Sequence, residues 1–240
     1  MNCPYRSLAT ALAVLAALGL SAGCGPEATP ASRVSEAGLD EQIAAVEHGE
    51  TTRIENAQKL LGDADAAALG KVTALEELLV DHPDSRFSVE GIASLAALPN
   101  LEHLRIRGRG IDNACLAELA RCKTLRILNV PQASFDDDGL AALAELPDLV
   151  QLRFGSPAVT DRGMQTLATF PALLRLHLID VPITDAGLAE LAKIERLQSL
   201  YIDGGQITDA GWDELFRQRP KLHVHVNQQH HDRDPHQHPH

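Results

Sequence analysis

Leu101, Leu125, Leu149, Leu173 and Leu197 stand 24 residues apart. Each opens the phrase Leu-x-x-Leu-x-apolar: Leu101/Leu104/Ile106, Leu125/Leu128/Val130, Leu149/Leu152/Phe154, Leu173/Leu176/Leu178 and Leu197/Leu200/Ile202. Leu75/Leu78/Val80 opens it once more, 26 residues before Leu101. A single unit of this length cannot bury its own apolar stripe. Stacking of like units closes the core, so the period restricts the chain to a solenoid.

The remaining columns are counted back from the next leading leucine. Position −14 is Phe87, Ile111, Phe135, Val159 and Ile183; position −10 is Gly91, Cys115, Gly139, Gly163 and Gly187. Positions −9, −6 and −3 are apolar throughout, as in Leu116, Leu119 and Cys122. That spacing of three puts them on one helical face. The leucine phrase has apolar residues at every second position, the period of a strand with one buried face. Each unit therefore reads strand, turn, helix, return. The expected fold is an α/β leucine-rich repeat solenoid, right-handed, with parallel strands on a concave face and helices on a convex one. Asp137, Asp161, Asp185 and Asp209 fall where the helices begin and are expected to cap them. The recurrent glycine costs a helix up to about 1 kcal/mol relative to alanine, which suggests close approach to the neighbouring coil. Pro99, Pro147 and Pro171 lie just past the helices and stop them.

The ends depart from the repeat. Residues 61–74 match the helical half of a unit, but the segment near Thr51 to Asn56 matches the strand half poorly. Leu39 to His48 reads as a short amphipathic helix with Asp40 as candidate cap and Gly49 as stop. These features divide the chain into a signal peptide (1–23), a lipidated cysteine and tether (24–38), an N-terminal cap (39–60), the repeat domain (61–226) and a disordered His-rich tail (227–240). Leu222/Val224/Val226 reads as the last strand, closing the sheet slightly out of register. Trp212 replaces the −9 leucine of the last unit, where shielding the core end is a simpler reading than a ligand role.

Leu8 to Leu20 carries no charge over 13 residues, too short for a membrane span but suited to a signal h-region. It runs into Leu20-Ser21-Ala22-Gly23-Cys24, which resembles a bacterial lipobox, with Ser21 at the position where leucine is commonest. The resemblance implies lipidation of Cys24 and a membrane anchor; ordinary signal cleavage, giving a soluble secreted or periplasmic protein, is the alternative. The expected location is the cell envelope, on the periplasmic or outer-membrane side. The Pro/Ala/Ser/Glu-rich stretch after Cys24 reads as the tether.

Cys115 and Cys122 lie seven apart on one predicted helix, roughly 10.5 Å along its axis. That is too far for a mutual disulfide, so both read as buried free thiols. A net charge of −12 argues against nucleic acid and against an anionic lipid surface as primary partner. A monomer is expected. Gly-x-Ser-x-Gly, a Gly-rich phosphate loop and His-Glu-x-x-His are absent from the sequence, so an enzyme is not expected.

Two features could carry function. The first is the outward face of the strands, whose central column runs Leu79, Arg105, Asn129, Arg153, His177, Tyr201, His225. His103, Arg105, Arg107, Asn129, Gln151, Arg153, Arg175, His177 and Tyr201 form a strip in which four arginines meet no acid. Arginine suits bidentate recognition of carboxylate or phosphate, and tyrosine is enriched at interfaces. The strip would take a protein or other anionic macromolecule. The alternative is a solvated face that is polar only because it is exposed, in a protein with a structural role in the envelope. The second feature is the tail: His223, His225, His230, His231, His236, His238 and His240. Histidine-rich tracts bind Zn²⁺, Cu²⁺ or Ni²⁺, here only weakly, because no fixed ligand spacing is present. A solvated tail that gains charge below about pH 6.5 is the plainer reading. No other cofactor is expected.

Ile183-Thr-Asp-Ala-Gly-Leu and Ile207-Thr-Asp-Ala-Gly-Trp are similar to the "ITDAGL" leucine-rich repeats. Cysteine-containing, F-box-associated repeat proteins share these with many bacterial secreted proteins, notably of planctomycetes. The resemblance spans residues 61–226 and implies protein–protein interaction, with no catalytic residues to carry over. Eukaryotic relatives of this kind imply ubiquitin-ligase substrate receptors. This chain has no F-box segment, and its export signal points elsewhere.

Overall fold

The computed structural model describes residues 37–231. The expected signal peptide, Cys24 and the tail residues His236, His238 and His240 lie outside the described residues.

The elements alternate along the chain: α1 (Leu39–Glu47), β1 (Arg53–Asn56), α2 (Asp63–Leu69), β2 (Glu77–Val80), α3 (Val89–Ala96), β3 (His103–Ile106), α4 (Asn113–Leu119) and β4 (Ile127–Val130). They continue with α5 (Asp137–Ala142), β5 (Gln151–Phe154), α6 (Asp161–Leu167), β6 (Arg175–Ile179), α7 (Asp185–Ala192), β7 (Ser199–Asp203), α8 (Asp209–Gln218), β8 (His223–Val226) and β9 (Gln229–His230). One sheet holds the strands in chain order, parallel from β1 to β8, with β9 antiparallel at the end. The fold is the expected α/β leucine-rich repeat solenoid.

The register turns the sequence columns into ladders. Ile54, Leu78, Leu104, Leu128, Leu152, Leu176, Leu200 and Val224 pair from strand to strand, and all are buried. Residues between them point to the other face; from β3 onward they stay half-exposed or exposed, for example His103 and Arg105 on β3, whereas Glu55 and Leu79 are buried. Parallel sheets covered on both faces lose this alternation; here the helices cover one face and leave the other open. Position −3 lies beyond the helix ends, in the return turn, and is still buried. Truncating one rung, as in Leu152→Ala, removes contacts on both neighbouring units and costs about 2–5 kcal/mol.

The aspartate column does a different job from the one expected. Thr160, Thr184 and Thr208 cap α6, α7 and α8, while Asp112 and Asp136 cap α4 and α5. Asp137, Asp161 and Asp185 stand one residue inside their helices and reach into the next coil. Each accepts from the backbone N–H of the next threonine at 2.8 Å, and from its hydroxyl at 2.6–2.8 Å. The hydroxyl and N–H of Thr208 hold the Asp185 carboxyl below the usual carboxylate range.

This staple explains the glycine column. A Cβ on Gly163, Gly187 or Gly211 would lie 2.2–2.6 Å from the Oδ1 of the preceding unit's aspartate. Cys115 occupies the same column, and the preceding unit offers Val89, not a carboxylate, at the stapling position. Gly91 and Gly139 meet Asp63 Oδ1 and Asn113 Oδ1 in the same way, so glycine goes with a side-chain oxygen, carboxylate or amide, across the coil boundary, and Cys115 falls where Val89 offers none. Burial pushes the Cys115 thiol up to about 11 and raises Cys122 as well, so both are inert.

Both ends differ from expectation. β1 is a full member of the sheet, so the repeat starts before residue 61. Its edge is covered by Gln42 of α1, whose amide donates to Glu55 O at 3.0 Å and accepts from Glu55 N at 2.9 Å. The side chain does what a neighbouring strand would do for an exposed edge. Gly38, not Asp40, is the N-cap of α1, without a side-chain bond. At the other end β8 does not close the sheet. Asn227 and Gln228, both with positive φ (50° and 65°), form a two-residue turn, and β9 folds back so that Gln229 pairs Val226 and His230 pairs His225. Positive φ at both central residues is what a type I′ hairpin needs. The first residues of the expected disordered tail are therefore ordered. His231 packs on Trp212 and Phe216 over the last coil, at ring separations of 5.0 and 4.9 Å.

Candidate binding face on the strands

The central column is assembled by the register itself: Leu79, Arg105, Asn129, Arg153, His177, Tyr201 and His225 are successive cross-strand partners. The environment changes along it. At the N-terminal end, Arg53 bonds Glu55 (2.7 Å) and Glu77 (2.9 Å), and His103 Nδ1 meets Glu77 at 2.6 Å. Arg105 Nη2 donates to Asp81 and lies 3.7 Å from Glu55. The sequence strip treats Arg105 as unpaired because no acid stands between units 101 and 173. Its partners come instead from the strands before it. Burial, partly offset by Glu77, lowers the pKa of His103.

Past β4 the pattern is different. Arg153 Nε donates to His177 Nδ1 (3.1 Å), and Arg153 Nη1 donates to Asn129 Oδ1 (3.3 Å). His177 Nε2 lies 2.9 Å from Asp203 Oδ2. Since Arg153 can only donate, His177 Nδ1 accepts, and the imidazole proton sits on Nε2, facing Asp203. That is the neutral tautomer. It agrees with the pKa direction: burial lowers His177, the bond to Asp203 opposes this, and Arg153 lowers it further. Burial first, then the like charge of Arg107, pushes the Arg153 guanidinium below the usual arginine value, against the opposing field of Asp203. Among the described residues no carboxylate bonds Arg153, and its Nη2 has no bonded partner.

Around this relay lies a cavity of about 570 Å³, lined by Gln151, Arg153, Arg175, His177, Tyr201, Asp203, His225 and Gln228 with Leu152 and Leu176 behind. Among the described residues Arg175, exposed at the rim, bonds only Gln151, at 3.4 Å. Tyr201 lies between His177 (5.3 Å) and His225 (4.5 Å, stacked). The structure thus gathers Gln151, Arg153, Arg175, His177 and Tyr201 into one pocket, with Asn129 behind Arg153. It leaves His103 and Arg105 in the paired network and Arg107 exposed beside it. Asp203 and Gln228 also line the pocket. Asp203 orients His177 and accepts from Gln228 N at 3.0 Å; the signal for it was its place at the end of the β7 phrase, two residues past Tyr201. Of the tail histidines, His223, His225 and His230 come together, whereas His231 lies over Trp212.

The fold is one known from solved structures. An internalin C2 from Listeria monocytogenes aligns over 76% of this chain and 72% of its own, at 16% identity and a TM-score of 0.54. An internalin F from the same organism (77% and 63%, 14% identity, TM-score 0.47) and a plant peptide hormone receptor, RGFR1 in complex with RGF2 (76% and 29%, 16% identity, TM-score 0.47), are more distant. No protein-family model and no curated protein matches the sequence. The likeness to internalin C2 agrees with the strand-and-helix repeat in showing a leucine-rich repeat fold.

Proposed function

We propose that the chain is an envelope-facing binding protein, lipid-anchored through Cys24, that holds an acidic segment of a partner protein in the C-terminal half of its strand face. The observation that carries the reading is Arg153. Its guanidinium is fixed by a neutral histidine and an amide, is half-buried, and is bonded by no carboxylate among the described residues. A ligand carboxylate would complete that set, with Arg175 at the rim and the Tyr201 ring as an apolar wall. The export segment and the lipobox-like run to Cys24 support the location.

Selection of a random peptide library on the purified protein tests this. Enriched peptides carry Asp or Glu at a fixed position, and Arg153→Met loses them while keeping the thermal midpoint. Peptides without a fixed acid, or retained by Arg153→Met, would contradict the reading.

A further inference from the structure

A second cluster lies beside the pocket. His223 and His225 share the open face of β8, because side chains two apart on a strand point the same way. The turn at Asn227 and Gln228 then sets His230 directly across from His225. One ring nitrogen from each of the three lies within 4.8 Å of the others, and His225 Nε2 is 2.9 Å from His223 Nε2. The ring of His230 stands 4.1 Å from that of His225 and 5.1 Å from that of His223.

We propose that His223, His225 and His230 form a binding site for a transition-metal ion of the imidazole-preferring kind, with Zn²⁺ the reference case. Three imidazoles and a remaining position for water or a ligand group make a familiar zinc arrangement. With Zn–N distances near 2.0–2.1 Å, tetrahedral ligand atoms lie about 3.3 Å apart, inside the range the three nitrogens already span. The chain holds the third ligand in place rather than leaving it on a loose tail. Gln228 N donates to Asp203 (3.0 Å), Gly204 N donates to Asn227 Oδ1 (3.0 Å), and Asn227 N donates to Ile202 O (3.1 Å). Tyr201 stacks on His225 and meets the His223 ring edge-on. Four residues of β8 in the sheet and a locked turn thus organise the site before any ion arrives, and organised ligands lose less freedom on binding. The sequence pattern pointed only to weak binding along the tail; the hairpin is what separates these three from the rest. An ion here would add positive charge to a pocket already lined by Arg153 and Arg175, although the site does not depend on what that pocket holds.

The test is calorimetric titration of the full-length protein with ZnCl₂, with a parallel Co²⁺ titration read by visible absorption. The expected result is one ion per chain with a saturating isotherm, and the intense visible bands of four-coordinate cobalt. His230→Gln and His225→Gln each weaken binding at least about tenfold; both side chains are on the open face, and unchanged circular dichroism checks the fold. The variant with His236, His238 and His240 all changed to Gln binds as the parent does. Non-saturating heats, or saturable binding lost with the tail variant and kept in His230→Gln, would overturn the assignment.

Discussion

The two halves of the strand face share one scaffold, one register and nearly the same residue types, yet they differ in what their charges meet. From β1 to β3 every basic side chain of the network faces an acid of its own chain: Arg53 with Glu55 and Glu77, His103 with Glu77, Arg105 with Asp81 and Glu55. From β5 to β8 the cation of the central column is held by neutral groups, and the acid, Asp203, is reached only through His177. A network whose charges are already matched offers an anionic ligand little, even with Arg105 Nε and Asp81 Oδ1 left without a hydrogen-bond partner among the described residues. An arginine positioned by neutral partners is already oriented and still lacks its counter-charge. Net charge and residue count do not separate these cases. What separates them is which strand carries the acid.

The contrast can be attacked by substitution. The largest effect expected is in binding: Arg153→Glu should weaken capture of an acidic peptide at least about 100-fold, on the scale of a central interface residue, measurable by fluorescence anisotropy. The mirror change, Arg105→Glu, should leave that affinity within about twofold and instead destabilise the fold. It sets three carboxylates together where two were neutralised, at a cost of about 1–3 kcal/mol. That is below the value for a fully buried pair because the side chains keep 10–27% exposure. Urea denaturation would show it as a lower midpoint. Equal losses of binding in the two variants would erase the distinction between the halves.

A smaller effect follows from His177. Its pKa in the folded protein is lowered from 6.5, so the unfolded chain binds that proton more readily. Its contribution to stability is complete above about pH 6.5 and is lost as pH falls from there through the lower folded value. Protonation also removes the acceptor that Arg153 Nε uses, so peptide affinity should fall in the same window. Comparing urea midpoints at pH 7.5 and 5.0 for the parent and His177→Gln checks this: the variant should have the flatter dependence, and His103, shifted the same way, supplies what slope remains. The smallest change expected is Glu77→Gln, which loosens half-exposed pairs to Arg53 and His103 and should cost no more than about 1 kcal/mol.

Much of this was readable from the 24-residue period, because strict repetition forces like residues into register. The buried ladder, the helical face and the central column all follow from it. The glycine column was visible too, and so was its general cause, close approach to the neighbouring coil; the group that makes the approach was not. Asp161 reads locally as a helix cap; only stacking shows that it reaches Thr184 and that a Cβ on Gly187 would collide with it. β1 reads as part of the cap rather than of the repeat because Asn56 is polar where its partner in the ladder is Val80. Its side chain closes a local turn by bonding Lys59 N and O, a polar solution to a position other units fill with an apolar residue. The β8–β9 hairpin was missed because Asn-Gln is a weak turn signal beside Asn-Gly, and because His-rich composition draws attention from alternation. The partners of Arg105 were missed for a geometric reason: Asp81, just past the end of β2, is its diagonal neighbour in the preceding unit, and Glu55 stands two strands back in the same column, beyond reach of any reading that stays within one unit.

The most direct test of the account is photo-crosslinking in cells from position 175, at the rim of the pocket, set against position 103 in the paired half and position 165 on the exposed face of α6. A discrete protein adduct from position 175 that disappears with Arg153→Met, and none from 103 or 165, is the predicted result. An adduct from position 103 or 165 with none from 175 would contradict the claim that the C-terminal half of the strand face is the binding surface.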